Sequence, residues 1–182
     1  MLYQSDYMEE KAILQTAARM CAAARTAPKA HGRDTLQTLV LTGEEKENLA
    51  KKMEEVGRRE MGDGMNTWYG RDAGNVRAAQ AVVLIGTDRK QRGVPHCGYC
   101  GFGDCGGCKD SGGNCAYTYV DLGIAVSSAV SAAASDKTDC RIMYSVGKTA
   151  AEMEYGHDAV WLGIPRSISG KNIFFDRGVV HA

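Results

Sequence analysis

Residues 97–115 read Cys-Gly-Tyr-Cys-Gly-Phe-Gly-Asp-Cys-Gly-Gly-Cys-Lys-Asp-Ser-Gly-Gly-Asn-Cys and hold five of the chain's seven cysteines. Nothing else in the sequence limits its folding so strongly. Thiolates this close can converge on one point only if the backbone between them turns tightly, and a tetrahedral zinc or a cubane iron–sulfur cluster needs such a convergence. Cys97, Cys100 and Cys105 are separated by two and four residues; Cys108 lies two residues further on and Cys115 six beyond that. Spacing therefore leaves the fourth ligand open between Cys108 and Cys115. Seven of the nineteen residues are glycine, which permits left-handed turns and close approach of amides to sulfur. Zinc knuckles normally stand a dozen or more residues apart, so the compression favours a cluster over zinc, with structural zinc as the alternative.

A disulfide framework is the weaker account of so many cysteines. At 182 residues the chain is long enough to bury a core without cross-links and is read as a single domain, 1–182, with a cysteine-rich insert at about 95–116. The N-terminus is polar and acidic rather than laid out as a signal peptide, and no apolar run reaches the ~20 residues of a membrane span. These features predict a cytoplasmic protein with reduced thiols. Lys plus Arg equals Asp plus Glu at 22 each, so neither a nucleic-acid partner nor a membrane surface is expected.

Periodicity supplies the frame. Residues 7–27 read as a helix, opened by an Asp6/Glu9 capping box and stopped at Pro28. Residues 35–41 read as a strand, and Thr42 with Glu45 as a second capping box for a charged helix to about Arg59. The stretch 61–74 is a loop or short helix. Residues 81–86, Ala-Val-Val-Leu-Ile-Gly, form a strand buried on both faces. From Asp121, small apolar residues recur at helical spacing over 122–133. Strands are expected at 141–146 and 159–163, with a short helix at 148–154 between them. Interleaved strands and helices predict an α/β or α+β fold, a mixed sheet flanked by helices. Cys21 and Cys140 fit as buried small hydrophobes. Of His31, His96, His157 and His181, only His96 stands beside a candidate ligand, and no residue is nominated as a general base.

Several segments together resemble the bacterial and archaeal proteins described as containing a ferredoxin domain. They are Ala24-Arg25-Thr26-Ala27-Pro28-Lys29-Ala30, Cys97-Gly-Tyr-Cys100-Gly-Phe-Gly-Asp-Cys105, Asp121-Leu-Gly-Ile-Ala, Arg141-Ile-Met-Tyr and Ser169-Gly-Lys-Asn-Ile-Phe-Phe-Asp-Arg177. The Cys-Gly-x-Cys-Gly-x-x-x-Cys core is also similar to the cluster-binding module of ion-pumping ferredoxin oxidoreductases and acetyl-CoA decarbonylases. The resemblance implies one 4Fe–4S cluster on Cys97, Cys100, Cys105 and Cys115, because the family's fourth cysteine precedes its Asp-Leu-Gly-Ile-Ala helix. Two departures are Gly113, where the family has proline, and the additional Cys108, the alternative fourth ligand.

The frame around the loop is similar to FMN-dependent nitroreductases, which implies a nitroreductase-like fold and a possible second cofactor, FMN. By that likeness Arg25, Thr26 and Lys29 would grip the flavin phosphate together with Ser169 and Lys171, in a C-terminal loop that also holds Ser167 and Gly170. The competing account is that Arg25 and Lys29 suit the end of a helix and that Ser-Gly-Lys-Asn is a turn. The same likeness implies a homodimer, and the small residues of 122–133 would let a partner helix approach closely, unless that face packs only inside its own domain; a cluster protein would also exchange electrons with an unknown redox partner.

Overall fold

The computed structural model describes residues 1–62, 68–156 and 158–175. The first helix, α1 (Ser5–Thr26), stops where expected: Ala27 is extended at ψ 144° because the ring of Pro28 disfavours helical geometry in the residue before it. Its start differs from expectation. Gln4 is the N-cap, and Asp6 lies inside the first turn, where Oδ1 accepts from the N–H of Tyr7 at 2.9 Å. Then come β1 (Leu36–Leu41), α2 (Gly43–Met61), α3 (Trp68–Ala78) and β2 (Ala81–Asp88). Thr42 is the N-cap of α2 but makes no side-chain bond, so the second capping box also lacks its bonds. Gly62, at φ 77°, ends α2 in a conformation that glycine adopts without a Cβ penalty.

After the cysteine segment come α4 (Cys105–Asp110), α5 (Ala116–Ser135), β3 (Asp139–Cys140), α6 (Tyr144–Ala150) and β4 (Ala159–Ser167). The strands form one sheet in the order β1-β2-β4-β3. An α/β fold was expected and is found, but the described strand pairs are all antiparallel rather than mixed. The reason lies in the connections. Two helices, α2 and α3, join β1 to β2, and two more, α5 and α6, lie between β2 and β4. Two helical passes return the chain to the end of the sheet it left, so the next long strand runs back the other way.

Helices cover both faces. On one, Leu36, Val83, Ile85 and Ile164 pack against Ala17, Met20 and Ala24 of α1 and Leu122, Ala125, Val126, Ala129 and Ala133 of α5. On the other, Leu41, Val82, Leu84 and Trp161 pack against α2, α3 and α6. Small residues let α1 and α5 approach closely enough for Ser128 Oγ to donate to Ala23 O at 3.0 Å. The small-residue face of α5, expected to meet a second copy, is therefore occupied within the chain.

The expected strand at 141–146 is not one: its second half is the start of a helix. Only Asp139 and Cys140 pair with β4 as a strand, and Met143 bridges Gly163. Tyr144 then opens α6, which seats on β4 at Gly147, where a Cβ would collide with the carbonyl of Trp161. Strand β2 continues beyond Gly86 to Asp88. Gly86 lies mid-strand because the indole of Trp161 occupies the space of its absent side chain.

Candidate metal centre

The cysteine segment sits at the end of the sheet where β2 stops and β4 begins, since Asp88 pairs with Ala159. Arg92 fixes its approach. The side chain is 1% exposed and donates from Nε to Asp121 Oδ2 at 3.2 Å, from Nη1 to Asp88 Oδ1 at 2.6 Å and to Lys90 O at 2.8 Å, and from Nη2 to Thr87 Oγ1 at 2.9 Å. Asp121 Oδ1 accepts from the N–H of Ala30 at 3.0 Å, and His31 Nδ1 lies 3.2 Å from Arg92 O. One buried guanidinium thus ties the end of β2 to the first turns of α5 and to the segment after α1.

The ligand-bearing backbone then turns at its glycines. Gly98 and Gly101 adopt φ 61° and 81°, and the N–H of Gly101 donates to Gly98 O at 2.9 Å, folding Cys97 towards Cys100. Asp104 caps α4, accepting from the N–H of Gly107 at 2.8 Å, so Cys105 and Cys108 project from adjacent positions on one helix face. The N–H of Gly113 donates to Cys108 O at 2.8 Å, and the chain reaches Cys115, the N-cap of α5.

All five cysteines line one small cavity of about 30 Å³, together with Gln91, His96 and Tyr117. Cys108 and Cys115 are buried at 0% and 6% exposure, while Cys97, Cys100 and Cys105 are half-buried. Gln91 Nε2 lies 3.6 Å from Cys108 Sγ and 3.3 Å from Gly113 O, and the N–H of Tyr99 points to Cys97 Sγ at 3.5 Å. Burial pushes the Cys108 thiol up; the Gln91 amide opposes this, and the neighbouring Cys100 and Cys115 thiols add to it. Tyr99 and Tyr117 stack at 5.9 Å beside the cavity. Among the described residues, no group of three or more His, Cys, Asp or Glu side chains is placed to hold a metal ion. Soft donors on amide-rich, glycine-rich backbone are the donor set that iron–sulfur clusters take, and the residues present fit such a group.

The residues proposed to grip a flavin phosphate do not come together in the chain. Arg25 Nη1 pairs with Asp34 Oδ2 at 2.8 Å; Thr26 Oγ1 donates back to Ala22 O at 3.0 Å; Lys29 Nζ donates to Ala24 O at 3.2 Å, Ala27 O at 2.7 Å and Arg25 O. Asp34 is partly desolvated, which opposes ionisation, but its bonds from Arg25 and the Leu36 N–H hold its carboxyl below the usual range. This group stands where Leu36 faces Thr87. Ser169 and Lys171 follow Ser167 at the other end of the sheet, where Arg166 faces Ala81, and Ser169 Oγ donates to Lys171 O. Six residues of β2 separate the two ends, about 20 Å at strand rise.

Cys21 and Cys140 are partly buried and pack against the core beneath α1 and α5, and burial pushes the Cys140 thiol up. His96 lines the cavity, whereas His157, His181, Asp176 and Arg177 lie outside the described residues. Gln91, Arg92 and Tyr117 were not singled out from sequence. The run Arg89-Lys90-Gln91-Arg92 carries no mark distinguishing a buried hub from a solvated turn; Asp121, inside a recognisable motif, was the available signal.

Fold and site together define a nitroreductase-like α/β protein with a cysteine-rich centre at one end of its sheet. A nitroreductase with bound FMN from Desulfitobacterium hafniense superposes with a TM-score of 0.55 at 14% identity, over 94% of this chain and 81% of that one. A nitroreductase family protein from Clostridium novyi gives 0.57 at 11% identity, over 95% and 80%. An FMN-dependent nitroreductase from Mycobacterium smegmatis, solved with NADPH, gives 0.57 at 11%, over 86% and 78%. At these identities the likeness is one of fold.

The chain belongs to the family described as "uncharacterized protein containing a ferredoxin domain (DUF2148)", whose pattern matches residues 111–177, a range that includes Cys115. A relative from Archaeoglobus fulgidus, itself described as an uncharacterized protein, is 38% identical over 185 residues, covering 97% of each chain. Among the described residues no helix is long and apolar enough to cross a membrane.

Proposed function

We propose that the protein is an iron–sulfur redox protein carrying one 4Fe–4S cluster on Cys97, Cys100, Cys105 and Cys115, with Cys108 as the alternative fourth ligand. The observation that carries this reading is the convergence of all five thiols on one cavity. When bound, the cluster supplies one-electron transfer. The chain's own residues hold and shield it. Arg92 anchors the entering backbone, Gln91 and the Tyr99 amide offer N–H groups to sulfur, and Tyr117, stacked on Tyr99, lines the cavity. Amide bonds to sulfur and solvent access are the levers by which a protein sets a cluster's potential. The test is the visible spectrum of anaerobically purified protein with iron and sulfide analysis. A broad band near ~400 nm with equal iron and acid-labile sulfide is expected. A colourless protein holding zinc would replace this reading with that of a structural zinc module.

The nitroreductase-like fold favours a second reading, an oxidoreductase in which the cluster is coupled to FMN. Arg25, Thr26 and Lys29 with Ser169 and Lys171 remain its proposed phosphate contacts. Because a single chain holds these groups at opposite ends of its sheet, the flavin reading requires a homodimer in which each subunit contributes one half. Val120 and Ile124, exposed on the outer side of α5 at 44% and 40%, supply apolar surface for that contact. Sedimentation equilibrium on iron-loaded protein decides it: a mass near 19.6 kDa at every concentration removes the dimer and the shared phosphate site. A cytoplasmic setting and a diffusing redox partner complete the proposal.

A further inference from the structure

A second cavity lies at the same end of the sheet as the cysteine centre, where β4 begins. Strand β3 pairs only with the last residues of β4, leaving the first half of β4 to border a space between α5 and α6. This cavity, about 370 Å³, falls within the size range of small-molecule sites. Its walls are aromatic and aliphatic: Tyr119 and Leu122 from α5, Tyr144 from α6 and Trp161 from β4. Tyr144 extends the aromatic surface to Trp68, their ring centroids 6.1 Å apart. Arg89, from the segment after β2, and Lys148, from α6, also line the cavity; Lys148 feels the Glu152 carboxylate but makes no close ion pair among the described residues.

Two features show that the space is set by rigid elements. Gly147 seats α6 directly on the backbone of β4, so the gap between the helices cannot collapse through that contact. Gly123, one helical turn beyond Tyr119 on the same face of α5, also lines the cavity, and a Cβ there would meet nothing within 4 Å. The two cavities share no lining residue, but both draw on the segment after β2 and on the first turns of α5: Arg89 and Tyr119 line this one, Gln91 and Tyr117 the thiol-lined one.

We infer that this cavity binds a planar aromatic anion. A flat ring can lie against Tyr119 and Tyr144, and Arg89 and Lys148, which also line the cavity, offer positive charge to a carboxylate, sulfonate or phosphate at the ring's edge. That such a molecule is the reactant served by the cysteine centre rests on the redox reading above; the binding itself does not. This site is separate from the Arg25, Thr26 and Lys29 group, whose polar atoms are engaged within the chain.

Calorimetric titration of the iron-loaded protein with anthraquinone-2-sulfonate, a flat and thiol-inert anion, tests the inference. Saturable micromolar binding is expected. Gly123→Leu, which fills the cavity from a helix position that prefers leucine to glycine, should weaken binding at least about tenfold, while Gly123→Ala keeps it. The double variant Arg89→Gln/Lys148→Gln should weaken the sulfonate but leave neutral 2-(hydroxymethyl)anthraquinone unchanged. Absence of binding, equal binding by Gly123→Leu, or equal losses for charged and neutral probes would each overturn the proposal. So would a cavity closed by a second copy, seen as a dimer that ignores the probe and that Gly123→Leu dissociates. Iron and sulfide measured on the same samples report separately on the cluster, so either conclusion can fail while the other stands.

Discussion

Replacing Arg92 with methionine, which keeps much of the stem and removes the charge, should destabilise the protein and loosen the metal centre together. In the native chain the guanidinium meets the carboxylates of Asp121 and Asp88, whose side chains are 4% and 21% exposed, and also satisfies Thr87 Oγ1 and the carbonyls of Lys90 and Asp88. After the substitution Asp121 keeps only the Ala30 N–H among these partners and stays buried with its charge uncompensated. Removing one member of a buried ion pair costs about 3–5 kcal/mol. For a chain of this length each kcal/mol moves the midpoint by about 2–4 °C, so Tm should fall by roughly 6–20 °C. Circular dichroism melts of iron-loaded protein read the shift, and iron content after gel filtration reads the loop.

The reasoning makes a second demand. Arg92→Met with Asp121→Leu removes both charges, so its loss should be smaller than the sum of the two single losses. A Tm shift below about 2 °C for Arg92→Met, or strictly additive losses in the double variant, would refute the view that this pair holds the end of β2 to α5.

Cys115→Ser should lose iron while Cys108→Ser keeps it, as measured by iron content of anaerobically purified protein; the reverse pattern would move the fourth ligand to Cys108. Gly147→Ala should lower the denaturant midpoint by an amount equivalent to about 1–3 kcal/mol, because the added methyl meets the Trp161 carbonyl and α6 must lift from β4. A hydrogen bond from Arg77 holds the Glu54 carboxyl below its ordinary 4.5. Its contribution is therefore present above that pH and lost as pH falls through the lower folded value. Glu54→Gln should flatten the decline in stability below about pH 5, by no more than ~1 kcal/mol for so exposed a pair; an unchanged acid profile would remove Glu54 from that role.

Much of the frame was legible because it depends on short-range chemistry. Pro28 stops α1 by blocking helical geometry in Ala27, and the apolar run at 81–86 is central because no residue in it tolerates water. What failed were readings that local pattern leaves ambiguous. Residues 141–146 have the residue types of a strand, but Gly147 and Val146 fit a helix onto Gly163 and Trp161, and tertiary contact outweighed local preference. Asp6 and Glu9 have capping-box spacing, yet α1 begins earlier, at Ser5 with Gln4 as its N-cap.

For the candidate site, the chain order of the cysteines was enough to expect a thiol-lined centre, since residues two to six apart on glycine-rich backbone cannot travel far from one another. Sequence could not say that Cys108 is the most buried of the five, because its exposure depends on Gln91 and on the return of the backbone through Gly113. Nor could it find Arg92, whose partners Asp121 and Thr87 are brought to it by α5 and β2. The basic groups chosen for a phosphate illustrate the same limit: Arg25 and Lys171 share a charge but stand at opposite ends of a sheet, a separation set by strand register. Sequence alone determined which reactive groups the chain carries and how closely they follow one another, because that is written in residue types and short spacings. Only the tertiary structure decided which of those groups meet, because antiparallel pairing and helix packing fix distances between segments that no local pattern encodes.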